Sequence, residues 1–336
     1  MKNAALAGIL AICLMALLAI AGVTKRDDNT AKIREKLVSP KVAVVGDIML
    51  GRQVGRLMDT YGYDYALSKI VDFLDNFDLA VGNFEGTVLE EFDYAAGMQL
   101  KFSTSLAALT QLVNANFGVL SLANNHGFDY GREGFEESKN NLQAVGISPI
   151  GHPYDLSNGI VTTVEVNNRI LKFVAFNATV PDFDTSSASE LVKNSRIDSP
   201  EAVIIVIIHW GDEYKATHND KQEYIGQLLI DAGSDVIFGS HPHVVQDIAS
   251  YDDKLIFYSL GNFVFDQNFS TETMEGLLVG IQLNATSTEF GLFPVDLSHS
   301  QPKLMPKDVR RRFLNDLAAK SPKDLRDEIK SGIIVR

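Results

Sequence analysis

Residues 117–131 read FGVLSLANNHGFDYG, and this segment is the strongest indication of the chain's architecture. Val119 to Ala123 is a short apolar run with the length and composition of a buried strand. The run breaks into a polar turn that contains Asn124, Asn125, His126 and Asp129, and a helical pattern follows. An imidazole, two amides and a carboxylate thus lie on a strand-to-helix turn. In open α/β sheets, this position outside the carboxyl ends of the strands is where ligands bind.

Four other predicted strands also end in polar side chains that can bind ligands. These strands are residues 42–45, 79–81, 202–208 and 235–238, and the side chains are Asp47, Glu85, His209, and His241 with His243. Each is a weak signal alone, because Asp favours turns and a single histidine is usually a packed or surface residue. Pro242 strengthens the last one, since a fixed φ positions the two flanking imidazoles toward one ion. Together they predict one site at the strand ends.

The residue types at these positions indicate a metal site. The single cysteine, Cys13, lies in the N-terminal apolar segment, so the rest of the chain offers no thiolate. Imidazole, carboxylate and amide ligands without thiolate fit Mn, Zn, Fe or Mg. Two such ions that share a carboxylate can clamp a phosphoryl group and generate hydroxide. The sequence therefore predicts one or two divalent ions.

Composition and charge limit the class of protein. The chain has 336 residues, of which 46% are hydrophobic and 22% charged, with a formal net charge of −13. This is ordinary globular composition, and the negative charge excludes a nucleic-acid backbone as a partner of the body. Alternating strand and helix patterns predict an α/β fold in a single domain.

The N-terminal residues predict export. Ala4 to Val23 contains 20 residues without a charge. That exceeds the roughly 7–15 residues of a secretory h-region and suits one membrane crossing. We therefore expect residues 1–24 to be a membrane anchor or signal peptide, residues 25–40 to be a charged linker, and the body to lie outside the cytoplasm. Because Ala19-Ile20-Ala21 resembles a cleavage site, a cleaved periplasmic form stays open.

Three further segments carry expectations. Tyr65 to Phe77 has helical spacing, and the Ser- and Asp-rich segment Asn177 to Glu201 is expected to be a surface loop with a short helix near Leu191. Residues 301–336 form a basic helical tail in this prediction, with ten Lys/Arg against five Asp/Glu. Such a tail can hold an anionic polymer or lipid head groups, or it can be a solvated helix face.

Six segments together resemble a known family. Between residues 41 and 267 they read VAVVGDIMLG, AVGNFEGTV, LANNHGFDYG, IIHWGDEY, GSHPHVVQ and IFYSLGNFVFDQ. This series resembles the CapA family of bacterial capsule or poly-γ-glutamate synthesis proteins, within the calcineurin-like metallophosphoesterases. The resemblance implies a metallophosphoesterase-like α/β/β/α sandwich over residues 41–300.

The resemblance also implies a role for each site residue. Asp47 and His243 would ligate the first metal, Glu85 would bridge, and Asn125, His209 and His241 would ligate the second. His126 would be the acid or transition-state stabiliser, oriented by Asp129. Three positions depart from the metallophosphoesterase pattern: Met49 replaces a histidine ligand, Glu85 replaces Asp, and Gly127 replaces an acidic residue.

Two functions remain open from the sequence. In the first, the protein is a metal-dependent, phosphoesterase-like hydrolase in the synthesis or export of a surface polymer. In the second, it is a non-catalytic accessory subunit that binds the acidic polymer or a membrane polymer synthase. The metal ligand set and the His126–Asp129 pair favour the hydrolase, whereas Met49, the apolar leader and the basic tail favour the accessory subunit.

Overall fold

The computed structural model describes residues 39–92, 100–157 and 159–336. The strands are β1 (Lys41–Ile48), β2 (Leu79–Phe84), β3 (Thr87–Leu89), β4 (Ser103–Ser105), β5 (Phe117–Ser121), β6 (Ser148–Ile150), β7 (Val161–Val166), β8 (Arg169–Asn177), β9 (Val203–His209), β10 (Val236–Ser240), β11 (Ile248–Tyr251), β12 (Lys254–Phe257), β13 (Asn262–Val264), β14 (Glu275–Leu283), β15 (Thr288–Asp296), β16 (Lys303–Leu304) and β17 (Ile333–Val335). The α-helices are α1 (Arg52–Tyr61), α2 (Val71–Leu74), α3 (Leu109–Asn114), α4 (Gly131–Ala144), α5 (Thr185–Asp198), α6 (Asp220–Asp231), α7 (Lys307–Lys320) and α8 (Arg326–Ser331).

Two mixed sheets form the centre of the fold. The first has the order β16-β15-β14-β1-β2-β5-β6, with β13 also paired to β1 and β17 to β15. The second has the order β11-β12-β10-β9-β8-β7. In the first sheet β1, β2, β5 and β6 run parallel, and in the second β8, β9, β10 and β12 do. The parallel strands are the ones that carry the predicted site residues.

Side-chain alternation along the strands produces four layers. On β1, Val42 and Val44 belong to the core between the two sheets, whereas Ala43 and Val45 pack against α1, α3 and α4. The outer face of the second sheet packs in the same way against α5 and α6. The order helix, sheet, sheet, helix confirms the predicted α/β/β/α layering of a single α/β domain.

The C-terminal segment packs against the same core. Leu314 and Leu317 of α7, with Ile329 of α8, join the apolar cluster between the sheets, and β17 pairs with β15. The predicted N-terminal membrane segment lies outside the described residues. None of the helices in the described ranges combines the length and the hydropathy that a bilayer crossing requires.

Two local predictions need correction. Residues 177–201 were expected to be a surface loop with a short helix near Leu191; a helix is present at that position, but it is the 14-residue α5 and leaves less loop than expected. The carboxylate of Asp184 caps this helix by accepting from the N–H groups of Ser186 and Ser187, and Ala188 and Val192 are buried. Serines that favour loops in isolation thus form a capped first turn. The helix predicted for residues 65–77 is instead a 3₁₀ turn followed by the four-residue α2.

Strand register places polar residues at one edge of the sandwich. In the first sheet Asp47 pairs with Asn83 of β2, which pairs with Ser121 of β5. In the second sheet His209 pairs with Ser240 of β10. All of these residues lie at the carboxyl ends of parallel strands, so one edge of both sheets collects the polar groups.

Gly46 permits the close contact on which this edge depends. A Cβ at residue 46 would lie 1.8 Å from the backbone oxygen of Gly261, which accepts the N–H of Asp47 at 3.0 Å. We expect Gly46→Ala to lower the free energy of unfolding by about 1–3 kcal/mol, because the backbone at Gly261 must move to make room for the added Cβ. Gly118→Ala on β5 is the control, since its Cβ would approach only the end of the flexible Leu79 side chain. Urea unfolding of both variants gives the measurement, and equal stabilities would contradict this account.

Candidate metal centre

The structure brings all eight predicted site residues to one place. A chain of contacts joins them: Asp47 to His243, His243 to Glu85, Glu85 to His126, His126 to Asp129, His243 to His241, His241 to His209, and His209 to Asn125. They come from five strand ends that are separated by up to about 200 residues of sequence. The predicted convergence is therefore present in the fold, and the role of each residue stays a prediction.

Two buried carboxylates and one buried imidazole lie at the centre of this group. Asp47, Glu85 and His243 are 0%, 1% and 3% exposed. His243 Nδ1 lies 3.2 Å from Asp47 Oδ2, and His243 Nε2 lies 3.8 Å from Glu85 Oε1. Burial raises the pKa of the Glu85 carboxyl to about 7, and the charge of Asp47 adds to this. A carboxylate in such a position is stable only when a proton or a cation compensates its charge.

Asn262 fixes the orientation of the His243 ring. Its amide Nδ2 donates to Gln267 Oε1 and to the backbone oxygen of Thr273, which leaves its Oδ1 to accept from His243 Nδ1 at 3.0 Å. With a proton held on Nδ1, Nε2 is the ring nitrogen that faces Glu85. Hydrogen bonds of this kind are the usual support of a metal-binding histidine.

Asn83 connects the two halves of the site. Its Nδ2 donates to Asp47 Oδ1 at 2.8 Å and lies 3.3 Å from His209 Nδ1. Its Oδ1 accepts from Asn124 Nδ2 at 3.0 Å. Asn124 in turn accepts the backbone N–H of His126. One buried amide therefore positions groups of both sheets and of the 124–129 turn.

His209, Asn125 and His241 form the second predicted ligand set. His209 Nε2 lies 2.8 Å from Asn125 Oδ1, and the rings of His209 and His241 are 4.7 Å apart. Two ligand atoms that bind one ion at right angles, each about 2.1 Å from it, lie about 3 Å from each other. The separation of His209 Nε2 and Asn125 Oδ1 is close to that distance. Burial lowers the pKa of His209, and the nearby His241 and His243 lower it further, so the ring is held neutral, as a ligand must be.

Strained backbone surrounds the site. His241 and His243 have φ values of +96° and +58°, and Tyr214 and Arg52 have +62° and +47°. For residues other than glycine such conformations cost about 1–3 kcal/mol each and concentrate at functional sites. The backbone of the His-Pro-His turn thus has a conformation that is unfavourable in itself, and this conformation positions both imidazoles.

His126 occupies a separate position at the mouth of the site. Its Nδ1 lies 2.9 Å from Asp129 Oδ2, its Nε2 lies 3.7 Å from Glu85 Oε1, and its ring stacks on Phe102 with centroids 3.9 Å apart. The guanidinium of Arg52 lies over Phe102, 4.8 Å from the ring centroid, and pairs with Asp266. Burial opposes protonation of His126, but the hydrogen bond to Asp129 and the charge of Glu85 raise its pKa overall.

Met49 contributes to the core instead of the site. It is fully buried among apolar side chains, and its Sδ accepts the N–H of Gly51 at 3.1 Å. The position at which metallophosphoesterases usually carry a histidine ligand therefore supplies packing here.

The residues present fit a divalent ion. Within the described ranges, Glu85 Oε1 and His241 Nδ1 are buried and have no hydrogen-bond partner. Ligand atoms of Asp47, Glu85 and His243 all lie within 4.8 Å of one another, as do those of Glu213, His241 and His243. Orphaned buried polar atoms are rare in proteins, and carboxylates facing imidazoles are the donor set that Mn, Fe, Zn and Mg accept.

Sequence reasoning assigned no role to several residues that shape the site: Asn83, Asn124, Asn262, Phe102 and Glu213. Asn83 and Asn124 lie beside predicted site residues, and Asn262 lies within the family-like segment IFYSLGNFVFDQ, so these positions in the sequence were the available signal. Glu213 lies in the segment IIHWGDEY, four residues after His209. Phe102 had no signal, because it reaches His126 from a preceding loop that the strand pattern did not connect to the site.

Comparisons with known proteins agree with the motif series. Residues 41–267 match the family described as bacterial capsule synthesis protein PGA_cap. The chain is similar to the PGA biosynthesis protein CapA of Bacillus subtilis (strain 168), with 31% identity over 285 residues that cover 79% of this chain and 73% of that protein. It is also similar to the capsule biosynthesis protein CapA of Bacillus anthracis, with 30% identity over 326 residues that cover 90% and 78%.

More distant similarities also exist. A probable polyglutamine synthesis accessory protein of Mycobacterium tuberculosis (strain ATCC 25618 / H37Rv) is 24% identical, over 68% of this chain and 76% of that protein. Among solved structures, a hypothetical protein from Thermus thermophilus gives a TM-score of 0.46 at 15% identity, over 78% of this chain and 95% of that one. The family match covers more than half of the chain and confirms the resemblance seen in the motifs. The chain belongs to the bacterial capsule synthesis protein family PGA_cap.

Proposed function

We propose that this protein acts in the synthesis or export of a capsule-type, poly-γ-glutamate-like surface polymer as a metal-dependent, phosphoesterase-like hydrolase. The observation that carries the catalytic part is the buried Asp47, Glu85 and His243 group with its orphaned Glu85 oxygen. The part in polymer production is supported by the family and by the printed names of the two Bacillus relatives.

Residues of both sheets would hold the metal. Asp47, Glu85 and His243 face one position, and Asn125, His209 and His241 face the other. A bound ion there supplies a Lewis acid and an activated water for attack on a phosphoester, amide or ester. The chain itself supplies ring orientation through Asn262 and Asn83, and a low-dielectric floor from the surrounding core.

His126 would donate a proton to the leaving group. Asp129 accepts from Nδ1, so a proton on Nε2 faces the site, and stacking on Phe102 fixes the plane of the ring. Asp129 is itself held in place, because it accepts the backbone N–H of Phe102 at 2.7 Å. The raised pKa of His126 favours its protonated form, which suits a general acid.

The first functional prediction concerns His126. We expect His126→Ala to lower kcat for hydrolysis of a phosphodiester or of the polymer by about 10²–10⁴-fold, the usual contribution of a general acid. Bound metal should stay near the parental amount, because the ring faces the ligand set without belonging to it. Turnover and metal content are measured on the same preparations.

Asp129→Asn is the matched variant, since it keeps the imidazole and weakens only its orientation. It should lose less activity than His126→Ala. It should also shift the alkaline limb of the pH profile to lower pH, because Asp129 raises the pKa of His126 and a general acid is inactive once it has lost its proton. Parental turnover in both variants would show that His126 is structural.

The second prediction is a pH dependence of metal binding. Burial would lower the pKa of His243, but Glu85, Asp47 and Asn262 raise it to about 9, and burial raises the pKa of Glu85 to about 7. An ion must displace the protons that these groups hold in the metal-free protein, so affinity should rise with pH, by about tenfold per unit for each proton released. Calorimetric titration with Mn²⁺ at pH 6.5, 7.2 and 8.0 checks this. Equal affinities at all three values would contradict ligation by His243.

Two observations favour a second function. Met49 packs in the core where a ligand is usual, and one distant relative is named an accessory protein. In this alternative the protein binds the acidic polymer or a membrane polymer synthase without catalysis. A His241→Ala/His243→Ala variant that still supports full polymer production would favour the accessory function over the hydrolase.

The basic C-terminal residues divide into structural and exposed groups. Arg310 donates to the backbone oxygen of Leu292 and packs over the ring of Phe293, so it stabilises the fold. The Arg311 side chain is 71% exposed and pairs with Asp308 one turn earlier, whose side chain is 83% exposed. Polymer or lipid binding by this face would therefore depend on Arg311 and its neighbours rather than on Arg310.

Membrane anchoring through residues 4–23 is part of the proposal. The described chain begins beside Lys41 at the amino end of β1, whereas Asp47 at the carboxyl end belongs to the site. A leader that continues from this end would join the domain at the edge opposite to the site.

We expect the protein in the membrane fraction, with residues 41–336 cleaved by protease added to intact spheroplasts. A soluble mature chain that starts near Gly22 would show cleavage of the leader. A body protected from protease in intact spheroplasts would refute export.

A further inference from the structure

Glu213 lies beside the site on the loop that follows β9. Its side chain is exposed, in contrast to the buried Asp47 and Glu85. One carboxylate oxygen of Glu213 lies within 4.8 Å of a ring nitrogen of His241 and of a ring nitrogen of His243. These two ring nitrogens also lie within 4.8 Å of each other. The exposed Glu213 carboxylate thus lies on the solvent side of the site, whereas Asp47 and Glu85 lie on its buried side.

The loop that carries Glu213 is fixed to the turn that carries the two histidines. The N–H of Tyr214 donates to the backbone oxygen of Pro242 at 2.8 Å. The amide of Gln246 donates to the backbone oxygens of Lys215 and Thr217, both at 3.0 Å. These bonds make the two segments one unit, so the approach of Glu213 to the histidines is a property of the fold.

His218 adds a second attachment at the end of the same loop. Its backbone N–H donates to Asp247 Oδ1 at 3.0 Å, and its Nδ1 lies 2.8 Å from Asp247 Oδ2. Its ring stacks on Tyr258, with centroids 3.8 Å apart. Residues 214–218 are therefore held at both ends, and Glu213 is the adjoining residue on the side of the site.

Buried polar atoms without partners indicate that this position takes a cation. His241 Nδ1 and the fully buried Glu85 Oε1 lack hydrogen-bond partners within the described residues. Met49 turns its thioether into the core, so the site has one ligand fewer than the pattern it resembles. We propose that Glu213 is a further metal ligand of this site, in place of the imidazole that Met49 does not supply. This inference rests on the proposed metal-dependent function.

The additional carboxylate changes the expected metal. With Asp47, Glu85 and Glu213, three of the ligands offer hard oxygen donors beside the imidazoles. Such a set suits Mn²⁺ or Fe²⁺, which accept five or six mixed oxygen and nitrogen ligands, better than a four-coordinate zinc site. Because Glu213 is exposed, it is also the ligand that an incoming substrate meets first.

The test compares Glu213→Gln with Asp212→Asn in the full-length chain. Both substitutions remove one negative charge from the same loop, but Asp212 accepts from Asn219 Nδ2 at 2.8 Å, at the start of α6. Mn²⁺ affinity is measured by calorimetry, and bound metal is measured after dialysis. Glu213→Gln should bind Mn²⁺ about 10–100-fold more weakly than the parent, whereas Asp212→Asn should stay within about twofold.

The outcomes separate this inference from the function on which it rests. Equal weakening in both variants would show a general charge effect and overturn the assignment of Glu213. Parental affinity in Glu213→Gln, with affinity lost in His241→Ala/His243→Ala, would overturn the assignment while the metal site stands. A parent protein that binds no Mn²⁺, Fe²⁺ or Zn²⁺ would overturn both.

Discussion

The pairing of buried carboxylates with His243 is the constraint on which the rest of this structure depends. Asp47 and Glu85 have almost no contact with solvent and lie close to one imidazole. Burial of an unpaired charge costs several kcal/mol, so these groups require partners. The partners come from both sheets. Asp47 comes from the first sheet, and His243 follows the second. Their contact, with the Asn83 amide beside it, fixes how the carboxyl ends of the two sheets meet.

Stability is lost locally to hold this arrangement. Positive φ values at His241 and His243 and orphaned polar atoms on Glu85 and His241 are unfavourable for folding alone. The four-layer core, with fully buried side chains such as Phe173, Phe238 and Trp210, offsets that cost. Unfavourable features that cluster at one edge of an otherwise well-packed sandwich are the physical signature of a functional site.

Much of the fold and of the site could be predicted from the sequence, because both depend on local signals. The apolar run 202–208 ends directly on His209, and the His-Pro-His turn follows β10, so strand ends and ligands were visible together. The helix near Leu191 was predicted too short, because the serines of its first turn, which Asp184 caps, resemble a loop until the burial of Val192 is known. Asn83, Asn262 and Phe102 act through contacts between distant segments, for which a single sequence carries no periodic signal. Glu213 likewise depends on how its loop docks against the 241–247 turn.

Anomalous diffraction from crystals of the full-length protein soaked in Mn²⁺ tests the central claim most directly, because it locates the ion independently of activity. The account predicts a peak about 2.0–2.3 Å from ligand atoms of Asp47, Glu85 and His243, with the Glu85 oxygen that lacks a protein partner bound to the ion. Full occupancy of that position by a water hydrogen-bonded to a protonated Glu85, with no anomalous peak at the strand ends, would contradict it.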